Sequence, residues 1–277
     1  MSPTSEETAA ARSQGYVFAL VAYGSWGVVP LFWKLMAKMG ALEILAHRVL
    51  WSLVFLAITL FVQRRVGAVW QALRQPKTMR LLVVSSALIA LNWGVFIWAV
   101  MVGRLVDASL GYFINPLANV ALGVLLLKER LRRLQWIGVG LGALGLAVMF
   151  FSRGNGLVVP LSLATTFALY GLCRKIAPVD SFVGLFIETL VCAPFAIGYI
   201  AIHESRGLGV FGNVQVGLMV LAMLAGPITA VPLASFAAAA RRLPLSTLGF
   251  FQYLAPTLQF LTAVLVFGEH VDHGRLG

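Results

Sequence analysis

The chain has 277 residues, 60% of them hydrophobic and 11% charged, with a mean hydropathy of +0.90. A soluble domain carries about a quarter charged residues. The shortage here runs from Val17 to Val266, which excludes a soluble globular enzyme, a disordered chain and a nucleic-acid-binding domain. The net charge of +11 lies in cations between apolar runs, where it reads as membrane orientation rather than polyanion binding.

A helix needs about 20 mostly apolar residues to cross the hydrocarbon core. Nine such runs follow one another, at roughly 16–37, 41–62, 81–102, 106–127, 134–151, 157–175, 181–202, 216–238 and 246–268. Their length and lack of two-residue alternation predict helices rather than strands. The first run is too long for a cleaved signal sequence and no small-residue cleavage site follows it. With the N-terminus in the cytoplasm, 14 Lys and Arg residues fall on the inside and five on the outside, with Lys34 and Arg48 within spans. That bias orients the chain. Cys173 and Cys192 both lie in apolar runs, so no disulfide framework or zinc spacing exists. No cofactor is expected.

The stretch from Arg104 to Phe113 returns from Arg242 to Phe251 at a shift of 138. Pro116 and Glu129 return as Pro256 and Glu269 at 140, and Lys34 returns as Lys175 at 141. Two extra residues near Gln252 and Tyr253 account for part of the drift. Five spans separate equivalent points, and five is odd, so the two copies insert with opposite topology. Inverted repeats accompany alternating access in secondary transporters; an old duplication kept for packing is the other explanation. The fifth span's mate would begin near residue 274, so the sequence predicts either nine spans or the loss of a tenth.

Ionisable groups inside spans are costly, about 2.5–3.5 kcal/mol for Asp, Lys or Arg at a helix centre. Glu188, near the middle of the seventh span, is the first candidate for substrate or proton contact, against a role as a packing ion pair. His47 is its repeat mate at shift 141. Glu43, His47 and Trp51 share a helix face, and Arg48 points about 100° away from His47. His47 and Glu188 facing one cavity, and a Glu188–Arg48 salt bridge fixing helix order, are equally open. Gly111, Asn115, Asn119 and Gly123 form a stripe four residues apart: a cavity wall, or a face for close packing. Gln252, Tyr253 and Gln259 offer the same in the ninth span, with Asn119 and Gln259 as repeat mates. Asn92, beside Trp93 and Trp98, adds an amide. Pro116 and Pro256 are expected to kink their helices. Lys34 and Lys175 are expected to snorkel.

Glycine patterns at 207–212 and 140–145 match a dinucleotide fingerprint without the strand it requires, and His203-Glu204 lacks the second His of a zinc protease. No Walker lysine motif is present. His270, Asp272 and His273 read as a solvated tail.

Ala46-His47-Arg48-Val49, Asn92-Trp93, the run from Ala108 to Pro116 and the run from Ser246 to Tyr253 resemble the RarD branch of the EamA-type drug/metabolite transporters. The resemblance covers nearly the whole chain up to Glu269. It implies ten helices in two inverted five-helix halves in the bacterial inner membrane, and this chain departs from it in lacking the tenth. The expected fold is therefore an all-α polytopic membrane protein of about nine transmembrane helices. Residues 1–15 form a cytoplasmic tail, 16–152 a first EamA-like repeat of five helices, and 153–277 a second of four. The expected function is secondary transport of a small organic solute. A channel or structural component, or an intramembrane enzyme with Glu188 and His47 as acid and base, are the alternatives. The lipid bilayer and the solute are the expected partners, nucleic acid is not one, and proton coupling and a homodimer stay open.

Overall fold

The computed structural model describes residues 5–36, 38–101, 105–153, 158–212 and 216–266, all helical apart from short connections. Helices are α1 (Ser5–Leu35), α2 (Ala41–Val62), α3 (Val66–Leu73), α4 (Pro76–Met101), α5 (Leu105–Leu125) and α6 (Arg133–Arg153). They continue as α7 (Val158–Ile176), α8 (Ser181–Ser205), α9 (Val216–Arg242), α10 (Leu245–Gln252) and α11 (Leu254–Leu265). Each of the nine apolar runs is helical, and no strand occurs among the described residues. Among the described residues, five helices are individually long and apolar enough to cross a bilayer. Hydrocarbon leaves the backbone no outside partner, which is why the apolar runs fold as helices. The chain is a polytopic membrane protein. The expected tenth helix and the metal-ligand types at 270–273 lie outside the described residues.

Two details depart from the sequence expectation. The segment 63–80 is not a plain loop but contains α3. Arg64 stands at φ +55 between α2 and α3. There Arg64 N donates to Phe61 O at 3.0 Å and Arg65 N to Leu60 O at 2.8 Å, closing the end of α2. The ninth run is broken at Tyr253 into α10 and α11. Pro256 falls in the first turn of α11, where a missing N–H leaves nothing unsatisfied. Tyr253 itself keeps helical dihedrals, φ −61 and ψ −19, so the division is a one-residue interruption of the hydrogen-bond ladder just before the proline.

Helix starts and stops follow local chemistry. Asp180 caps α8 by accepting from Phe182 N at 2.9 Å. Pro178 follows the end of α7, where the helix cannot continue. The ends that alternation places on one side of the membrane do meet. Arg65 lies 3.0 Å from Asp180, joining the end of α2 to the start of α8. Arg241 donates to Val179 O at 2.6 Å. Lys175 donates to Ala240 O at 3.2 Å and Leu243 O at 2.5 Å, closing α9 rather than snorkelling. Glu129 accepts from Leu245 N at 2.7 Å and from Ser246 N and Oγ at 3.0 and 2.8 Å, capping α10 from the other repeat.

The packing is reciprocal. Exchange α1, α2, α4 and α5 for α7, α8, α9 and α10–α11. The contact of α1 with α9 becomes that of α7 with α4, and α2 with α9 becomes α8 with α4. The contact of α5 with α7 becomes that of α10–α11 with α1, while α2–α8 and α5–α10 map onto themselves. The centre belongs to α9, whose buried residues are largely alanine. Small side chains let neighbouring helices close in where lipid supplies no hydrophobic drive. At Gly226 an added Cβ would collide with the Trp51 backbone, and Ser52 Oγ donates to Gly226 O at 3.1 Å. Large apolar side chains such as Phe195 and Leu144 occupy the outer faces.

Gly226→Ala is expected to lower stability by about 1–3 kcal/mol through overpacking. Gly24→Ala, whose Cβ meets nothing within 4 Å, is not expected to lower it. Unfolding midpoints of the two variants in detergent check the contrast.

Candidate functional site

Polar groups inside the bundle fall into three clusters. The first surrounds Glu188. Its carboxylate accepts from Ser85 Oγ of α4 in a short hydrogen bond, and from Tyr170 of α7 at 3.4 Å. It pairs with Arg174 Nη1 at 3.5 Å. Arg174 is 1% exposed and also donates to Ser181 O at 3.0 Å. Arg174 Nε has no acceptor among the described residues. A void of about 10 Å³, room for roughly one water, lies against Glu188, Tyr170, Trp93 and Cys192.

The second cluster surrounds Arg48. Its Nε donates to Thr229 Oγ1 of α9 at 3.0 Å. Its guanidinium carbon lies 4.9 Å from the Trp33 ring centroid and 5.3 Å from that of Trp93. Pro227 and Pro232 flank Thr229 within α9 and remove two N–H groups from its ladder. Trp93 also borders an apolar cleft of about 300 Å³ between α2, α4 and α8, lined by Leu45, Val49, Cys192 and Phe195.

The third cluster joins the start of α2 to the end of α8. Glu43 lies 3.7 Å from His203, which stacks on Tyr199. His47 is buried edge-on to Phe211, with Nδ1 lacking a partner among the described residues. Glu204 accepts from Phe211 N at 3.0 Å and Gly212 N at 2.8 Å, holding that loop in place.

These partners correct two expectations. The Glu188–Arg48 bridge does not form. Glu188 has Arg174, and Arg48 has Thr229 and two indoles. His47 and Glu188, although repeat mates, belong to different clusters and make no acid–base pair. The amides act mainly as ties between helices. Asn92 Nδ2 donates to Leu163 O and Thr166 Oγ1 of α7, both at 2.9 Å. Asn119 Nδ2 donates to Gln252 Oε1 at 2.9 Å; the side chain of its repeat mate Gln259 lies outside those described. Asn115 and Asn119 each keep a buried Oδ1 without a partner among the described residues. The small-residue stripe of α5 faces other helices: a Cβ on Gly111 would touch Leu163 of α7 at 3.0 Å, and Gly249 of α10 sits on Pro116 O. The Tyr253 hydroxyl lies against Gly142 of α6.

Arg174, Tyr170 and Ser85 were not among the sequence candidates. Arg174 adjoins Lys175 at the end of an apolar run and counts there as a loop cation. The repeat shift was the signal: 141 relates Trp33 to Arg174 as it relates His47 to Glu188.

The comparisons with known proteins agree on what such a bundle is. Residues 13–151 match the profile of the EamA-like transporter family. The chain belongs to this family, in its RarD branch. An uncharacterized transporter of Pseudomonas aeruginosa is 48% identical over 266 residues, covering 95% of this chain and 88% of that protein. Protein RarD of Escherichia coli is 43% identical over 256 residues, covering 92% and 86%. The chloramphenicol-sensitive protein RarD of Pseudomonas aeruginosa is 32% identical over 262 residues, covering 92% and 86%. One crystal structure shares the fold at a TM-score of 0.71 and 18% identity, covering 94% of this chain and 91% of that one. The names of the family and of the Pseudomonas aeruginosa relative indicate a membrane transporter.

Arg174→Gln leaves Glu188 buried without its cation, and breaking such a pair costs about 3–5 kcal/mol. Arg174→Met with Glu188→Leu is expected to recover most of that loss, as read from denaturant midpoints in detergent.

Proposed function

We propose that this protein is a secondary transporter that moves a small organic solute across the bacterial inner membrane by alternating access, with its N-terminus in the cytoplasm. The reciprocal packing of the two sets of helices carries this reading. An interface that maps onto itself under exchange of its halves has two equivalent arrangements, and switching between them moves the opening from one face to the other. The Lys and Arg asymmetry supports the orientation. Two prolines flanking Thr229 weaken the α9 ladder beside Arg48, in keeping with the interrupted helices found at transporter sites.

Within this reading the Arg48 cluster is the solute site and the Arg174–Glu188 pair is the coupling element. Glu188 reaches α4 through Ser85 and α7 through Tyr170 and Arg174, so its charge is felt on three helices at once. Protonation cancels its attraction for Arg174 and loosens α8 from α7. This is the step through which a proton gradient would drive the exchange.

Solute counterflow tests the proposal, because preloading with unlabelled solute accelerates labelled uptake through a carrier and not through a channel. A metabolite screen in proteoliposomes supplies the solute. Glu188→Gln is expected to insert normally and to lose flux driven by a proton gradient while keeping exchange. Wild-type gradient-driven flux in that variant would remove Glu188 from the mechanism, and absence of counterflow for every solute transported would remove the carrier reading.

A further inference from the structure

Among the described residues, one cation inside the bundle meets no carboxylate. Five carboxylates have described side chains, and each is engaged. Glu43 faces His203, Glu129 caps α10, Asp180 caps α8 beside Arg65, Glu188 holds Arg174, and Glu204 binds the 211–212 backbone. Arg48 receives none of them. Of the five N–H donors of a guanidinium, its Nε is spent on Thr229, and its Nη groups have no acceptor among the described residues. A cation inside a membrane bundle is costly to leave without a counter-charge. Flanking indoles offset part of that cost, but a ring face accepts no directed hydrogen bond in the guanidinium plane.

The repeat shows what is missing. The shift of 141 carries Trp33 to Arg174 and His47 to Glu188. In the second half a cation on α7 meets a carboxylate on α8. In the first half the cation sits on α2 at Arg48, an aromatic ring occupies the α1 position, and no carboxylate stands opposite among the described side chains. Arg48 is moreover partly accessible, whereas Arg174 is sealed. A fork of unpaired N–H groups beside two flat aromatic walls suits a carboxylate held by two parallel hydrogen bonds. Trp93 also borders the cleft of about 300 Å³, whose lining is mainly apolar and aromatic and opens to the outer face at Phe195; Arg48 is not in that lining but reaches it through the Trp93 ring. The cleft is at the small end of ligand sites in size.

We propose that Arg48, between Trp33 and Trp93, is the binding site for the carboxylate of a small organic anion with a flat apolar body, so that the transported solute supplies the counter-charge the protein lacks there. This rests on the carrier reading above for transport, but not for binding.

The test uses the full chain in detergent and three probes of one shape: phenylacetate, 2-phenylethylamine and 2-phenylethanol. Phenylacetate is expected to raise the unfolding midpoint and to quench tryptophan emission, with the amine and alcohol without effect. Arg48→Gln is expected to weaken phenylacetate binding about tenfold or more, the loss of one charge-assisted hydrogen-bonded contact. Should that variant fail to fold, Arg48→Lys keeps the charge and loses the fork, and is expected to bind more weakly than wild type. Equal responses to all three probes, retained binding in Arg48→Gln, or no response to phenylacetate, benzoate or hexanoate would overturn the proposal. Phenylacetate binding without counterflow would count against the carrier reading alone, and counterflow of the amine but not the carboxylate against this inference alone.

Discussion

In hydrocarbon every polar group must find its partner inside the protein, and this constraint shapes the molecule from its helices to its site. The backbone meets it by folding each apolar run into a helix. Helix ends meet it with side chains borrowed from elsewhere in the chain: Asp180 for α8, Lys175 for α9, Glu129 for α10. Glu188 meets it through Arg174, Ser85 and Tyr170. Because each described carboxylate is engaged in this way, Arg48, a cation that meets none of them, becomes informative.

The same constraint governs how the helices are held to one another. Lipid gives helices no hydrophobic reason to associate, so contact depends on shape and on a few polar ties. Here the shape comes from alanine-rich α9 and from glycines such as Gly226 and Gly249, which bring backbones together. The ties are few and placed near helix ends or at single mid-helix amides: Asn92 to α7, Asn119 to Gln252, Arg65 to Asp180. Small residues set how closely the helices approach, and the polar ties fix their register.

Much of the architecture was legible in the sequence because one-dimensional signals govern it. Apolar length located all nine runs, and α2 was bounded to the residue at 41–62. The self-similarity at shifts of 138–141 anticipated packing that survives exchange of the halves. What was not legible depends on three-dimensional partners. Arg174 lies next to Lys175 and cannot be told from a loop cation until Glu188 is seen beside it. The α5 stripe reads equally as a cavity wall or a packing face until α7 and α10 are seen upon it. The break at Tyr253 was signalled by two extra residues and by Pro256, but not whether these bend a helix or divide it. Gln252 and Arg48 were rightly placed inside the bundle; their partners Asn119 and Thr229 come from helices more than 130 residues away.

The central claim is that one binding region is reached from alternate faces. It is tested most directly by thiol labelling at Thr229→Cys, with Cys173 and Cys192 replaced by Ser. A membrane-impermeant maleimide is added to right-side-out or to everted vesicles, before and after a disulfide joins Glu129→Cys to Ser246→Cys and clamps α10 to the segment following α5. The account predicts labelling from both faces before the clamp and from only the opposite face after it. Labelling from both faces in the clamped protein, or from a single face in the unclamped one, would contradict it.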